Sequence, residues 1–249
     1  MAENENKKIT INSELVYLLA IILLSLSVAM LTTADFGISM IVAPAYLLSL
    51  KVDFLTFGQA EYVIQAGLFI LLCLIIRKFK PIYLTSFLTC LLYGLALDLW
   101  QMIPFFNVSV TPPESLDLWV RIILFVSGFL LTGFSVALFF KTYFYPQVYD
   151  FATKCITLRY HFKLFIVKTC VDFSMLGAAL IMTFCFFGKL QGIGWGTLVM
   201  AALNGTIISL YSRMLDHFFL FKPGFGKFAS LFDLSFERKK PAETDSISN

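Results

Sequence analysis

The sequence contains few charged residues. Asp, Glu, Lys and Arg make up only 14% of the 249 residues, whereas a soluble domain carries about 25%. Hydrophobic residues make up 59% and occur in runs long enough to cross a bilayer. This composition excludes an ordinary soluble domain and predicts an all-α polytopic membrane protein. The net charge of +3 comes from basic residues in short loops and does not indicate a nucleic-acid partner.

The sequence also lacks the common catalytic and metal-binding patterns. Its two histidines, His161 and His217, lie at segment ends, and none of the five cysteines stands in a CxxC or a Cys/His metal spacing. The motifs GxSxG, HExxH, P-loop and GxGxxG are absent. We therefore expect no catalytic residues, no cofactor and no metal site. The missing P-loop excludes an ATP-driven pump for this chain alone.

Six apolar runs have the length of membrane-spanning helices. They cover residues 15–33, 62–76 (beginning near Phe57), 82–103, 118–140, 162–187 and 195–215. With six spans and a cytoplasmic N-terminus, only Lys51, Arg121 and Lys189 among the Lys and Arg residues fall outside. The positive-inside rule favours this arrangement, with both termini cytoplasmic.

Two further apolar segments, residues 35–50 and 144–159, are too short to span comfortably. Gly37 and Pro44 interrupt the first, and Pro146 lies near the start of the second. Short segments broken by Gly or Pro, in matching places of two halves, are the best sequence indication of a transporter site. We expect both to be broken, re-entrant helical segments. The sequence leaves open whether they enter the bilayer or lie along its surface.

The two halves of the chain resemble each other weakly. Ser27-Val28-Ala29 aligns with Ser135-Val136-Ala137, and the polar pair Glu61 and Gln65 aligns with Lys168 and Asp172. Three helices per half is an odd number, so the second half enters the membrane from the opposite face. The prediction is an inverted repeat of two three-helix halves. The predicted parts are a cytoplasmic tail (1–12), a first repeat (13–105), an extracellular linker (106–117), a second repeat (118–215), an interfacial aromatic segment (216–236) and a disordered cytoplasmic tail (237–249).

One block of sequence resembles a known family. Gly37-Ile38-Ser39-Met40, followed by Pro44-Ala45-Tyr46-Leu47-Leu48-Ser49 and by Phe57-Gly58, is similar to the early block of the YitT/YczE-like integral membrane proteins of bacteria. The resemblance covers residues 24–99 well and the second half only weakly. It implies a small bacterial multispan protein, a transporter or an accessory factor, with no settled substrate. Met40 stands where a proline is common in that family, which places the kink at Pro44.

Polar residues at membrane depth are the candidate ligand-binding groups, because an ionisable side chain there is costly unless it is paired or hydrated. The candidates are Asp35, Ser39, Gln65, Tyr149, Asp150, Lys168, Asp172 and Asn204.

Each of the strongest candidates has a structural alternative. Asp172 is the strongest, and a plain ion pair with Lys168 is its alternative role. For Asn204 an interhelical hydrogen bond is favoured over contact with a ligand, and Asp35 could cap the first short segment. Glu61 is interpreted as an interfacial acid, and Gln65 as the better residue for a cavity.

Three functions are consistent with these features. The first is a transporter or exporter of a small polar or anionic solute in the bacterial cytoplasmic membrane, with its site between the two halves. The second is an accessory membrane protein that binds a partner enzyme through a basic cytoplasmic face. The third is a channel, since paired re-entrant segments also form pores. The expected partners are the lipid bilayer and a small solute. The oligomeric state, a homodimer included, is left open.

Overall fold

The computed structural model describes residues 9–77, 79, 81–162 and 164–225. Eight helices and two short strands follow one another within these residues. In chain order they are β1 (Ile9–Asn12), α1 (Ser13–Ala34), α2 (Ala43–Lys51), α3 (Phe57–Ile76), α4 (Leu84–Gln101), α5 (Leu118–Phe140), α6 (Val148–Tyr160), α7 (Leu164–Phe187), α8 (Trp195–Phe218) and β2 (Phe219–Lys222). Helices α1, α3, α4, α5, α7 and α8 are long and apolar enough to span a membrane. The predicted all-α polytopic class is confirmed.

Local signals in the sequence explain where several helices begin and end. Thr56 and Gln59 form a capping box at the start of α3, each side chain satisfying a backbone N–H of the other. Helices α1, α3 and α6 end at Asp35, Arg77 and His161, whose positive φ angles (52°, 52° and 56°) turn the chain out of the helix.

The bundle has two distinct ends. One end, called here the terminal face, holds the start of α1 and the end of α8. There the Lys141 Nζ lies 2.8 Å from Asp216 Oδ2, which joins the end of α5 to the end of α8. The opposite end, called the linker face, holds residues 104–117. Arg121, near the start of α5, donates there to the carbonyl of Ala34 at the end of α1.

The two strands join the ends of the described chain at the terminal face. Strand β1 pairs in parallel with β2, in a register that places Ile9 opposite Phe219. Glu14 reinforces this contact by accepting hydrogen bonds from the backbone N–H of Gly224 and from the Tyr143 hydroxyl, at 2.9 and 2.8 Å. A tail was predicted over residues 1–12. The structure makes its last four residues a strand, because β2 supplies hydrogen-bond partners that the sequence pattern does not reveal.

The predicted aromatic segment, residues 216–236, also begins differently. Its first three residues complete α8 and the next four form β2. Residues 226–236 of that segment, the tail at 237–249 and residues 1–8 lie outside the described part of the chain.

Most helix–helix contacts recur when α1, α2, α3 and α4 are matched to α5, α6, α7 and α8. Helix α1 packs on α5 at the centre. The α1–α4 contact corresponds to α5–α8, the α2–α3 contact to α6–α7, and the α2–α7 contact to α6–α3. The largest departure from the pattern is that α3 packs closely on α4 whereas α7 and α8 make no comparable contact. The span α7 is accordingly far more exposed than its counterpart α3.

Helix α6 begins inside the bundle rather than at one of its ends. The N–H of Val148, its first residue, donates to Gln65 Oε1 at 3.1 Å. Gln65 lies eight residues after the start of α3 and eleven before its end, or about 12 and about 17 Å along the helix axis. At its other end, the Tyr160 hydroxyl donates to the carbonyl of Ile75, near the end of α3. Helix α6 therefore covers only the half of α3 nearer the terminal face.

Candidate functional site

A buried polar cluster lies where α6 begins beside α3. It consists of Glu61, Gln65, Gln147 and Tyr149, called here the glutamate cluster. Glu61 and Gln65 are both 0% exposed. Because they stand one helical turn apart on α3, their side chains project from the same face. The residues at the start of α6 complete the cluster from the other side.

Hydrogen bonds connect all four members. Gln65 Nε2 donates to Glu61 Oε2 at 2.9 Å and lies 3.3 Å from Gln147 Oε1. The Tyr149 hydroxyl donates to Glu61 Oε2 at 3.0 Å. Since Gln65 Oε1 accepts from Val148, the Gln65 amide bridges the carboxyl and the N-terminus of α6. The carboxyl at Glu61 thus lies close to the positive end of a helix dipole.

Three polar atoms in and beside this cluster have no hydrogen-bond partner among the described residues. They are Glu61 Oε1, Gln147 Nε2 and the hydroxyl of Tyr93 on α4. Leaving a buried polar group unpaired costs about 1–3 kcal/mol. Native structures retain such groups in small numbers, and each calls for an explanation such as water, a ligand or a catalytic role. In the described conformation two donors and one carboxyl oxygen are thus buried without a protein partner.

A second cluster, called the lysine cluster, lies on the other side of α6. Lys168 Nζ on α7 lies 3.0 Å from Asp150 Oδ1 and 3.1 Å from Asp172 Oδ1. The expected pair of Lys168 and Asp172 is thus present, and Asp150 joins it from the first turn of α6. All three side chains are 26–34% exposed. If all three are ionised, the cluster has a net charge of −1.

The first turn of α6 connects the two clusters. Tyr149 points to Glu61 on α3, and the next residue, Asp150, points to Lys168 on α7. This arrangement brings five predicted site residues to one short stretch of structure: Gln65, Tyr149, Asp150, Lys168 and Asp172. A movement of α6 would change both clusters together.

Asp35 and Ser39 lie elsewhere, at the linker face. Asp35 is the C-cap of α1 and not an N-cap of α2, which begins only at Ala43 after Val42. The N-cap prediction is therefore wrong, because residues 35–42 form a loop before the short helix. Asp35 Oδ2 is 3.7 Å from Arg121 Nη2. Partial burial raises the pKa of Asp35, and the charge of Arg121 opposes that shift. The Ser39 carbonyl accepts from Val42 and Ala43.

Asn204 belongs to neither cluster. It is half-buried on α8, and its Oδ1 has no hydrogen-bond partner among the residues the structure describes. Helix α8 packs on α5 and not, to a comparable extent, on α3, α6 or α7. The site expected between the two halves therefore does not include this residue.

Glu61 is the residue that the sequence interpretation placed wrongly. Its position one turn after the start of α3 suggested the membrane interface, yet the side chain is fully buried. The Tyr149 side chain reaches this part of α3 from the start of α6, and α4 adds Cys90, whose Sγ is 3.9 Å from the Glu61 carbonyl. Gln147 and Tyr93 were missed as well. The one sequence signal for the cluster was the spacing of Glu61 and Gln65, which places both side chains on the same face of α3. No sequence signal indicated Gln147 or Tyr93.

Comparison with known proteins gives a family and one distant relative. The model of a family of unknown function, DUF6198, matches residues 11–213. The chain is 28% identical over 206 residues to an uncharacterized protein, YyaS, of Bacillus subtilis (strain 168). That match covers 83% of this chain and 95% of the relative. No solved structure matches the chain significantly.

Proposed function

We propose that this chain, which belongs to the DUF6198 family of unknown function, is a secondary transporter or exporter of a small polar solute. The observation that supports the proposal is the carboxyl of Glu61, which is fully buried within a spanning helix and has one oxygen without a partner among the described residues. Ionisable groups inside membrane spans are rare and typically mark solute, ion or proton pathways.

The position of α6 supports the same interpretation. Transporter sites are commonly built where a discontinuous helix begins near the middle of the membrane. Helix α6 begins beside Gln65, near the middle of α3, and carries Tyr149 and Asp150 in its first turn. In our proposal the segments 35–50 and 144–159 are both re-entrant, and the second forms one wall of the site.

We propose that Glu61 exchanges a proton during transport. All four side chains of the glutamate cluster are buried, so the described conformation corresponds to a closed state. When the site opens, Glu61 Oε1 would gain or lose a proton, and Gln147 Nε2 and Tyr93 would donate to the solute. Movement of α6 would open the site, because α6 supplies Tyr149 and lies next to Gln147.

The charges around α6 favour a neutral or cationic solute over the anionic one also considered from the sequence. Glu61 and the lysine cluster together contribute three carboxyl groups and one lysine. The N-terminus of α6 attracts anions, but its first N–H is already bound to Gln65. Lys154 on α6 adds a second lysine that interacts with Asp150, so three carboxyl groups face two lysines and an anion would meet more like charge than opposite charge.

Two further parts of the proposal concern architecture and orientation. Most helix contacts of the first half have an equivalent in the second half when α1–α4 are matched to α5–α8, and this correspondence supports an inverted repeat. Lys51, Arg121 and Lys189 belong to the linker face, so the positive-inside rule places the terminal face and both chain ends in the cytoplasm of a bacterial cell. The resemblance to YitT/YczE-like proteins remains part of this proposal and rests on residues 37–58.

The test is proton flux into proteoliposomes that contain a pH-sensitive dye. Purified wild-type protein is exposed in turn to amino acids, polyamines, organic acids, sugars and monovalent cations. We expect at least one neutral or cationic solute to cause a saturable flux that Glu61→Gln abolishes. Asn204→Ala serves as the matched control, since Asn204 is a polar residue of a spanning helix outside both clusters.

Flux that is equal in wild-type and Glu61→Gln protein would refute the role given to Glu61. If no solute in the panel causes proton flux, and thermal melting verifies that the protein is folded, the result would contradict transport and favour the accessory function. Large, unsaturable cation currents would favour the channel.

A further inference from the structure

The outer surface of the protein contains an apolar groove lined by α3, α6 and α7. The groove has a cavity volume of about 380 Å³. Its walls are α3 and α7, and its floor is α6, where Ala152 and Ile156 face the cavity. The short helix α6 lies between α3 and α7 near the terminal face, and the groove is the space that it leaves between these two longer helices.

The lining is almost entirely hydrocarbon. Leu68, Leu71, Leu72 and Ile75 come from α3, and α7 contributes further apolar residues together with Ser174. The Ser174 hydroxyl is already bound to the carbonyl of Cys170, so it presents no free donor to the groove. Large lining side chains such as Leu71 and Ile166 are 51% and 53% exposed. In a membrane this groove faces lipid.

Exposed basic residues lie close in the chain to the residues that line one end of the groove. Ile75 and Phe162 line that end, and Arg77 and His161 are their near neighbours in the chain. The Tyr160–Ile75 hydrogen bond holds the ends of α3 and α6 together there. Arg77 and Arg159 are both exposed, and neither forms an ion pair with a carboxylate within the described part of the chain.

We propose that this groove binds one anionic phospholipid of the leaflet at the terminal face. One acyl chain lies between α3 and α7 on the floor of α6, and the phosphate contacts Arg77 and Arg159. The apolar walls match the chain, and the unpaired arginines at one end match the charge of the headgroup. A zwitterionic lipid fits the walls equally well but gains less from the two arginines.

This inference does not depend on the transport proposal, although it has a consequence for it. The floor of the groove is the same helix whose first turn carries Tyr149 and Asp150. A bound lipid would restrict the movement of α6 that opening of the glutamate cluster requires. Lipid binding is measured directly and transport by proton flux, so failure of one proposal can be told apart from failure of the other.

Native mass spectrometry of the detergent-purified protein tests the site. Wild-type protein is titrated with phosphatidylglycerol and with phosphatidylcholine of the same acyl chains. An arginine near a charged lipid surface contributes about 1 kcal/mol, or about fivefold in affinity. We expect tighter binding of phosphatidylglycerol, reduced about fivefold by Arg77→Gln or by Arg159→Gln. Lys51→Gln and Lys189→Gln, at the linker face, are the matched charge controls and should change nothing.

A second pair of variants tests the groove itself. Ser174→Phe places a ring in the cavity, whereas Ser209→Phe places the same ring on an exposed position of α8. We expect Ser174→Phe to weaken phosphatidylglycerol binding and Ser209→Phe to leave it unchanged. Equal retention of both lipids by wild-type protein would overturn the proposal. Loss of binding in the arginine variants but not in Ser174→Phe would show a surface headgroup contact without a seated acyl chain, and would overturn it too.

Discussion

The backbone N–H of Val148 donates to the side-chain oxygen of Gln65 at 3.1 Å. This hydrogen bond joins the first residue of a short helix to the middle of a spanning one. It also positions the other amide atom, Gln65 Nε2, against the carboxyl of Glu61. A helix start inside the bundle and a buried carboxyl are thus held together by one glutamine.

The first prediction distinguishes the contribution of the Glu61 hydrogen bonds to stability from the contribution of its ionisable carboxyl group. Glu61→Gln keeps an oxygen that can accept from Tyr149 and Gln65, so we expect a melting temperature close to that of the wild type. Glu61→Leu leaves the Tyr149 hydroxyl without its Glu61 acceptor and Gln65 Nε2 with only the 3.3 Å contact to Gln147 Oε1, and each lost buried hydrogen bond costs about 1–3 kcal/mol. Thermal melting in detergent should rank Glu61→Leu clearly below Glu61→Gln. An equal loss in both variants would show that the negative charge itself stabilises the fold.

The second prediction concerns the lysine cluster. Lys168→Met leaves Asp150 and Asp172 without their shared cation, whereas Asp172→Asn still leaves Lys168 paired with Asp150. We expect Lys168→Met to lower the melting temperature more than Asp172→Asn, and the additional change Asp150→Asn to restore part of the loss. The side chains are partly exposed, so solvent screening keeps these effects below those of a fully buried pair.

The same Asp172→Asn protein tests whether Asp172 has more than an ion-pairing role. If Asp172 handles a proton or the solute, proton flux should be lost while the protein stays folded. A folded variant with unchanged flux would leave the ion pair as the better account. The double variant Lys168→Leu/Asp172→Gln, which removes both charges, is the control for the pairing role.

The third prediction compares two glycines. Gly37 has φ of +110°, and a Cβ there would lie 2.6 Å from Thr197 Oγ1 and 2.7 Å from the Gly194 nitrogen. We expect Gly37→Ala to destabilise the protein, because both the backbone angle and the space exclude a side chain. Gly177→Ala is the control, since a Cβ there meets nothing within 4 Å. In a helix interior that change stabilises by up to about 1 kcal/mol.

The fourth prediction is a pH dependence at the linker face. Burial raises the pKa of Asp35 in the folded protein, and Arg121 opposes that shift. A raised carboxyl pKa means that the folded state disfavours the charged form. Stability from this group is therefore present below the unfolded pKa of about 3.9 and is lost as pH rises through the folded pKa. Arg121→Gln removes the opposing charge. We expect it to enlarge the fall in melting temperature between pH 4 and pH 7.

Arg121 also donates to backbone carbonyls, so its removal costs stability at every pH. The informative quantity is therefore the difference between the two pH values and not the melting temperature itself. Asp35→Asn/Arg121→Gln is the control and should show no enlarged pH dependence. A dependence that persists in this double variant would assign the effect to another group.

The fifth prediction concerns orientation. A single cysteine at Thr111, in the exposed loop of the linker face, should react with a membrane-impermeant maleimide added to intact cells. A single cysteine at Arg77, at the terminal face, should react only after the membrane is permeabilised. Both are placed in a cysteine-free background. Labelling of the Arg77 position in intact cells would reverse the proposed topology.

The spanning helices could be predicted closely from the sequence. The fourth span was predicted at residues 118–140, and the structure has α5 at Leu118–Phe140. This accuracy has a physical reason, because a membrane span must satisfy all its backbone hydrogen bonds within one continuous apolar helix. Length and hydropathy are local properties of the chain.

Glu61 and Asn204 could not be placed from the sequence, for the opposite reason. The burial of Glu61 depends on where α6 begins, and α6 is far away in the chain. Asn204 stands near the middle of its span, yet its helix packs on α5 and lies away from both clusters. Depth along a helix can be read from the sequence, but the direction a side chain faces depends on neighbours that only the fold supplies. The strand at Ile9–Asn12 was missed for the same reason.

The pairing of β1 with β2 has a consequence for biosynthesis. The ribosome synthesises β1 first and β2 only after all the spanning helices. Until then β1 has no strand to pair with, and its edge stays unpaired. The two strands can meet only if both chain ends remain on one side of the membrane, that is, after an even number of crossings. Their union is therefore a late step of assembly, and a chain that inserts one helix wrongly cannot complete it.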